Sequence, residues 1–205
     1  KNFDNLNKLG FEIGLHNSIN SRNNIENIKF EKTKLEKILK KNVYGCRHHF
    51  WSLDSVNPEK TLEFDYESGF KYDMSMGLTE SIGFRRGICF PVKMYDNLNN
   101  RLCRIWEIPT QISDRYFFND TIEETENYLS KSIDIINKIK SVNGVAVINW
   151  HFDTLIRTIN SKDFPYKYVL KKIFDSIDLN EAWTPTVSEF ILYIESSDYS
   201  KDWIL

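Results

Sequence analysis

Short apolar runs, separated by charged stretches of helical period, set the pattern of this chain. Phe11-Glu12-Ile13-Gly14-Leu15 is the first run, and Val43-Tyr44-Gly45-Cys46 the second. Phe70-Lys71-Tyr72-Asp73, Ile105-Trp106-Glu107-Ile108-Pro109 and Val145-Ala146-Val147-Ile148-Asn149-Trp150 follow. Each has the length of a strand, and the last reads as a strand buried on both faces. Between them, Ile25, Ile28, Leu35, Ile38 and Leu39 recur at helical spacing, which predicts an amphipathic helix from Asn24 to Lys41. Pro58 suits the first turn of a helix running to Glu67 and closed by Gly69. Thr121, with Glu124 three residues later, predicts a capped helix through Val142. Further helices are expected over about 166–177 and 186–195, and a helix tail ends at Gly10. Residues 77–104 read as irregular, with Gly83, Gly87, Pro91 and a turn at Asp96-Asn97-Leu98-Asn99-Asn100. Strands alternating with helices imply βαβ units and a parallel sheet or barrel in one α/β domain spanning 1–205.

The chemistry clusters at the strand ends. The sequence holds four histidines, and His16, His48, His49 and His151 all stand just past one of these apolar runs. In parallel α/β folds that is where active sites are built. His48 and His49 point to opposite sides of an extended backbone, so at most one faces a site; His48 reads as a solvent-facing residue. Arg47 offers a fork for a carboxylate. Phe50 and Trp51 offer flat faces that suit sugar rings, although aromatics more often fill cores. His151 is placed as a general acid or base and needs an orienting carboxylate. Asp73 is the first candidate for that partner and Asp153 the second.

Composition narrows the classes. With 41 % hydrophobic and 14 % aromatic residues among 205, the chain can bury a real core. Its net charge of −2 gives no electrostatic footprint for nucleic acid. No apolar run approaches the ~20 residues of a membrane span. Cys46, Cys89 and Cys103 are widely spaced and form no disulfide framework or zinc knuckle. Free thiols suit a reduced, cytoplasmic compartment, while a cell-envelope setting stays open.

The order of these segments resembles the polysaccharide deacetylase family with its NodB-homology fold, a distorted (β/α) barrel. Phe11-Glu12-Ile13-Gly14-Leu15-His16-Asn17-Ser18-Ile19-Asn20 is similar to the family's metal-binding histidine segment. His16 falls on its first ligand, and Asn20 on a position that is histidine in the family. Gly45-Cys46-Arg47-His48-His49-Phe50 resembles the Gly-x-Arg-x-Pro-aromatic segment, with His49 in place of proline. Gly69-Phe70-Lys71-Tyr72-Asp73-Met74-Ser75 is similar to the Tyr-Asp-x-Ser stretch. Asn149-Trp150-His151 is similar to the late strand whose histidine is the general acid, and Glu181-Ala182-Trp183-Thr184 to the family's C-terminal end. Gly83-Phe84-Arg85-Arg86-Gly87-Ile88-Cys89-Phe90-Pro91 looks like a divergent branch connected with bacterial surface polysaccharides.

Over about residues 8–195, the resemblance implies a hydrolase that removes acetyl groups from an N- or O-acetylated sugar, with a zinc-like divalent ion as cofactor. It implies His16 and Asn20 as metal ligands and His151, Arg47 and Asp73 as catalytic residues. His49, Phe50, Trp51, Trp150, Arg85 and Arg86 become substrate contacts. The family's Asp-Asp motif, which carries the base, is absent from the chain and is expected upstream of Lys1 on a first strand. A second reading follows from that absence and from Asn20: a catalytically impaired module that binds carbohydrate or a protein partner.

Overall fold

The computed structural model describes residues 2–117, 122–157 and 166–197. In chain order these form α1 (Asn2–Lys8), β1 (Leu15–Asn17), α2 (Ile25–Leu39), β2 (Gly45–His48), α3 (Pro58–Glu67) and β3 (Tyr72–Asp73). Next come β4 (Tyr95–Asp96), β5 (Arg101–Leu102), β6 (Trp106–Glu107), β7 (Ile112–Ser113) and α4 (Ile122–Ser141). β8 (Ile148–Asn149), α5 (Phe152–Arg157), α6 (Tyr166–Asp175) and α7 (Val187–Ser196) complete the order. The capping threonine expected at Thr121 lies outside the described residues.

Two compact units emerge. The first comprises Lys1–Met76, Phe90–Ile108 and Pro185–Leu205. Its centre is a four-stranded sheet in the order β1-β2-β3-β6, every pairing parallel. Local chemistry explains the crossovers. Asn24 caps α2 by accepting from the Asn27 amide, and Lys40 closes that helix in the left-handed conformation. Thr186 and Glu189 make a reciprocal capping box at the start of α7. Ile28, Leu62, Phe70 and Ile105 are sealed in this unit's core. Burying side chains of this size contributes roughly 1.5–3 kcal/mol each. Gly45 has a steric reason: a Cβ there would lie 2.0 Å from the Tyr72 ring. That ring crosses β2 so that its hydroxyl can donate to Glu12 at 2.7 Å.

The turn read at Asp96–Asn100 is the loop of an antiparallel hairpin, β4–β5. Asp96 accepts from the Leu98 and Asn99 amides and shapes it.

The second unit comprises Gly77–Cys89 and Pro109–Thr184. Its β7 and β8 pair in parallel, Ile112 with Ile148 and Ser113 with Asn149. The strand expected to be buried on both faces is therefore different in fact. Only Ile148–Asn149 is strand, and both residues are half-buried. Among the described residues β8 has one neighbouring strand, so it is not sandwiched inside a wide sheet. The fold is α/β with a parallel sheet and helical crossovers, as the alternation predicts, and the pairings described do not close a barrel.

Candidate functional site

In the first unit, β2 sorts its residues by alternation. Gly45, Cys46 and His48 are buried, while Arg47 is half-exposed. Register pairs His16 of β1 with Arg47 of β2, and the chain then turns into a 3-10 segment, His49–Trp51. This brings three side chains of the sequence reading together. Arg47 Nη2 donates to His16 Nδ1 at 2.7 Å, and His16 Nε2 lies 2.8 Å from His49 Nδ1. Arginine can only donate, so His16 Nδ1 is an acceptor and its ring proton sits on Nε2. His16 therefore donates to His49 Nδ1, which leaves the His49 proton on its own Nε2.

The next two residues are strained. Phe50 and Trp51 adopt φ of 56° and 51°, the left-handed region that non-glycine residues enter at a cost of about 1–3 kcal/mol. The bend lays the Phe50 ring against His49, centroids 4.0 Å apart, and leaves Phe50 exposed. Trp51 is half-buried, and its buried Nε1 has no acceptor among the described residues.

Beyond His16 the chain is pinned by Glu31 of α2. Its carboxylate accepts from the Ser18 amide at 3.1 Å, the Ser18 hydroxyl at 2.5 Å and the Ser21 hydroxyl at 2.8 Å. Burial works to raise the pKa of Glu31, but these bonds, with one from Asn27, outweigh it and hold the carboxyl below its ordinary value. Asn20 stands exposed on the same turn, Ile19–Ser21.

The donor atoms of His16 and His49 converge as two ligands of one divalent ion would. The Arg47 contact opposes such use. A ligating imidazole normally donates its second N–H to an acceptor, which arginine cannot be. Ligation through His16 Nε2 thus requires Arg47 to leave Nδ1.

The opposite alternation of β2 builds a buried polar cluster. His48, expected to be exposed, is fully buried and its Nε2 lies 3.0 and 3.1 Å from the two carboxylate oxygens of Asp65 on α3. Alternation put it inward, and Asp65 supplies the partner that makes burial tolerable. Asp73 is also sealed. It accepts from the Ser75 amide and hydroxyl, both at 2.8 Å, and lies 3.5 Å from Cys46 Sγ. Ser75 Oγ accepts in turn from the His48 amide at 2.9 Å. Glu107 is in register with Asp73 and accepts from the Met76 amide at 2.8 Å. Cys46, His48, Asp65 and Asp73 each present one ligand-type atom, all within 4.8 Å of one another, so this group can bind a metal.

Burial dominates the electrostatics here. It lifts Asp65 to about 6, against the pull of His48 and with help from Asp73. For His48 burial disfavours the cation, but Asp65 more than compensates and the imidazole is raised. Burial and the Asp73 carboxylate raise Glu107 well above the usual range. The Cys46 thiol is raised well above its ordinary value by burial, then by Asp65 and Asp73.

In the second unit, the parallel pairing of β7 and β8 carries two residues past the strand ends to one place. His151 Nδ1 lies 2.6 Å from Asp114 Oδ1, and the His151 amide donates to Asp114 Oδ2 at 2.7 Å. Asp114 is fully buried, whereas the His151 side chain is 27 % exposed. A carboxylate acceptor at Nδ1 favours the Nδ1–H tautomer and leaves Nε2 as the basic nitrogen of the ring. The orienting carboxylate is therefore neither Asp73 nor Asp153. Asp73 faces Ser75 and Cys46 within the first unit. Sequence pattern does not point to Asp114, because Pro109 reads as a strand end and the two-residue strand Ile112–Ser113 beyond it is too short to show a period.

Trp150 is half-buried beside His151 in the chain. Arg85 gives one donor to the Gly77 carbonyl at 3.1 Å, so it braces its own loop. Arg86 is exposed, with φ of 59°.

No family model matches the chain, and no curated protein matches its sequence. Its fold does have a solved counterpart. The crystal structure of a protein from Mycobacterium smegmatis, provisionally assigned as a polysaccharide deacetylase, superposes with a TM-score of 0.65 at 13 % identity. The superposition covers 95 % of this chain and 66 % of that one. At that identity the likeness speaks for the fold, and the chain has a deacetylase-like α/β fold.

Proposed function

We propose that this protein is a carbohydrate deacetylase, a hydrolase that removes an acetyl group from an N- or O-acetylated sugar of a polysaccharide or its precursor. The observation that carries the reading is the His151–Asp114 pair, an imidazole with fixed tautomer and partial exposure. The likeness in fold supports the choice of substrate class.

In this reading His151 Nε2 gives its proton to the departing amine or alkoxide, and Asp114 stabilises the ring as its charge changes. His16 and His49 would hold a divalent ion, with the Asn20 carbonyl as a further oxygen donor, and such an ion would polarise the acetyl carbonyl and lower the pKa of bound water. Arg47, once released from His16, would offer its guanidinium fork to a carboxylate acting as base. Phe50, Trp51 and Trp150 offer faces to sugar rings, and Arg86 offers a charge to an anionic substituent.

A second reading is a carbohydrate-binding module without turnover. The Arg47–His16 bond favours it, because that bond keeps a proton where a metal would sit. Acetate release from N- and O-acetylated oligosaccharides, with added zinc, cobalt or magnesium, separates the two. The deacetylase reading expects metal-stimulated acetate. Retained oligosaccharide binding with no acetate under any metal leaves the module.

A further inference from the structure

We propose that Cys46, His48, Asp65 and Asp73 form a structural site for one zinc-type divalent ion inside the first unit, separate from the His16–His49 pair. The ligand set spans three elements. Cys46 and His48 alternate on β2, Asp73 is the register neighbour of Cys46 on β3, and Asp65 comes from α3. All four residues are buried, and their ligand-type atoms lie within 4.8 Å of each other. Thiolate, imidazole and two carboxylates are a donor mixture that zinc takes in tetrahedral sites. Bonds of ~2.0–2.3 Å set tetrahedral ligands roughly 3.3–3.6 Å apart. The His48–Asp65 and Cys46–Asp73 separations of 3.0 and 3.5 Å need little movement to reach that.

Two further observations call for a cation. The Glu107 carboxyl is in register with Asp73, and its buried Oε2 meets no donor among the described residues. Asn17, in register with His48 on β1, is fully buried, and neither side-chain atom has a partner among the described residues. Buried polar groups are nearly always satisfied, and an ion with its ordered shell is one way to satisfy them. The sealed carboxyls of Asp65, Asp73 and Glu107 share one cationic group, His48, so without a counter-ion the cluster must keep protons in place of charge. On binding, the ion takes the place of the Cys46 thiol proton, which leaves to solvent. The bound ion would tie β2, β3 and α3 together, so that its binding energy becomes folding energy.

The proposal does not depend on the deacetylase reading, and its test needs no activity. The full chain, produced with zinc and dialysed exhaustively, is analysed for metal, as is the His16→Ala/His49→Ala variant. At least one zinc per chain in the wild type, and one in the variant, is expected. Protein loaded with cobalt(II) should show the near-ultraviolet thiolate-to-cobalt charge-transfer absorption, and Cys46→Ser should abolish it. The wild-type spectrum alone decides if Cys46→Ser does not fold. A chain without retained metal, or one whose ion is lost in the His16/His49 variant, would overturn the proposal. So would cobalt-loaded protein that lacks the thiolate band.

Discussion

Two histidine–aspartate pairs in this molecule use the same two side chains for opposite ends. In His48–Asp65 both side chains are sealed from solvent, and Nε2 is committed to the carboxylate. In His151–Asp114 only the aspartate is sealed; the carboxylate takes Nδ1 of a ring that is 27 % exposed. The first arrangement fixes charge in a core and has no route for a proton to a substrate. The second keeps the Asp114 contact on one nitrogen of a partly exposed ring, and its other nitrogen is the one that can exchange a proton. Strand alternation decides the first: two residues along β2, from Cys46 to His48, stay on the buried face. Position past a strand end decides the second. Having a histidine beside an aspartate thus says little until burial and the choice of ring nitrogen are known.

The contrast can be broken by exchanging what each pair is asked to do. The largest effect is expected on turnover: His151→Gln should lower acetate release by about 10²–10⁴-fold with the fold intact by circular dichroism, the range for loss of a general acid. Asp114→Asn should act in the same direction by presenting the wrong tautomer. In the sealed pair the loss should fall on stability instead. Asp65→Ala leaves a buried histidine without its partner and should cost about 3–5 kcal/mol in urea unfolding. Asp114→Asn, which keeps the shape beside a half-exposed ring, should cost about 1 kcal/mol. Equal costs for the two would remove the distinction.

Smaller effects sharpen the picture around His49 and His16. Phe50→Gly relieves a left-handed φ of 56° at an exposed position and should change stability by less than about 1 kcal/mol. Its effect should appear as a raised KM for oligosaccharide with kcat little altered, read from initial rates. Glu31→Gln tests the pinning of the turn after His16. Hydrogen bonds hold Glu31 below its ordinary value, so its contribution is present above about pH 4.5 and is lost as pH falls through the folded value. The variant should therefore be less stable than wild type at pH 7, by under about 1 kcal/mol after solvent screening. The two unfolding curves should converge in more acidic buffer.

Much of the arrangement is legible from the chain because period and end signals are local. The helix around Ile25–Leu39 follows from its spacing, and the parallel strands follow from alternation with helices. Extended-strand geometry puts His48 and His49 on opposite sides, but it does not say which side is the core, and His48, expected to be exposed, is the buried one. What stayed hidden depends on contacts distant in sequence. Nothing near His48 names Asp65 as its partner, because the pairing passes through a helix that begins at Pro58. The Ile112–Ser113 strand is too short to show a period, so Asp114 could not be seen at its end. The strand near Ile148 looked deeply buried by composition, yet burial depends on how many neighbours a strand acquires.

The central claim is that the open pair, and not the sealed one, carries proton transfer. Acetate release per enzyme measured side by side for wild type, His151→Gln and Asp65→Asn, on one acetylated oligosaccharide at saturating metal, tests it most directly. The account predicts a loss of 10²-fold or more in the first variant only, an amount set by general-acid catalysis. Wild-type rates in His151→Gln would contradict it.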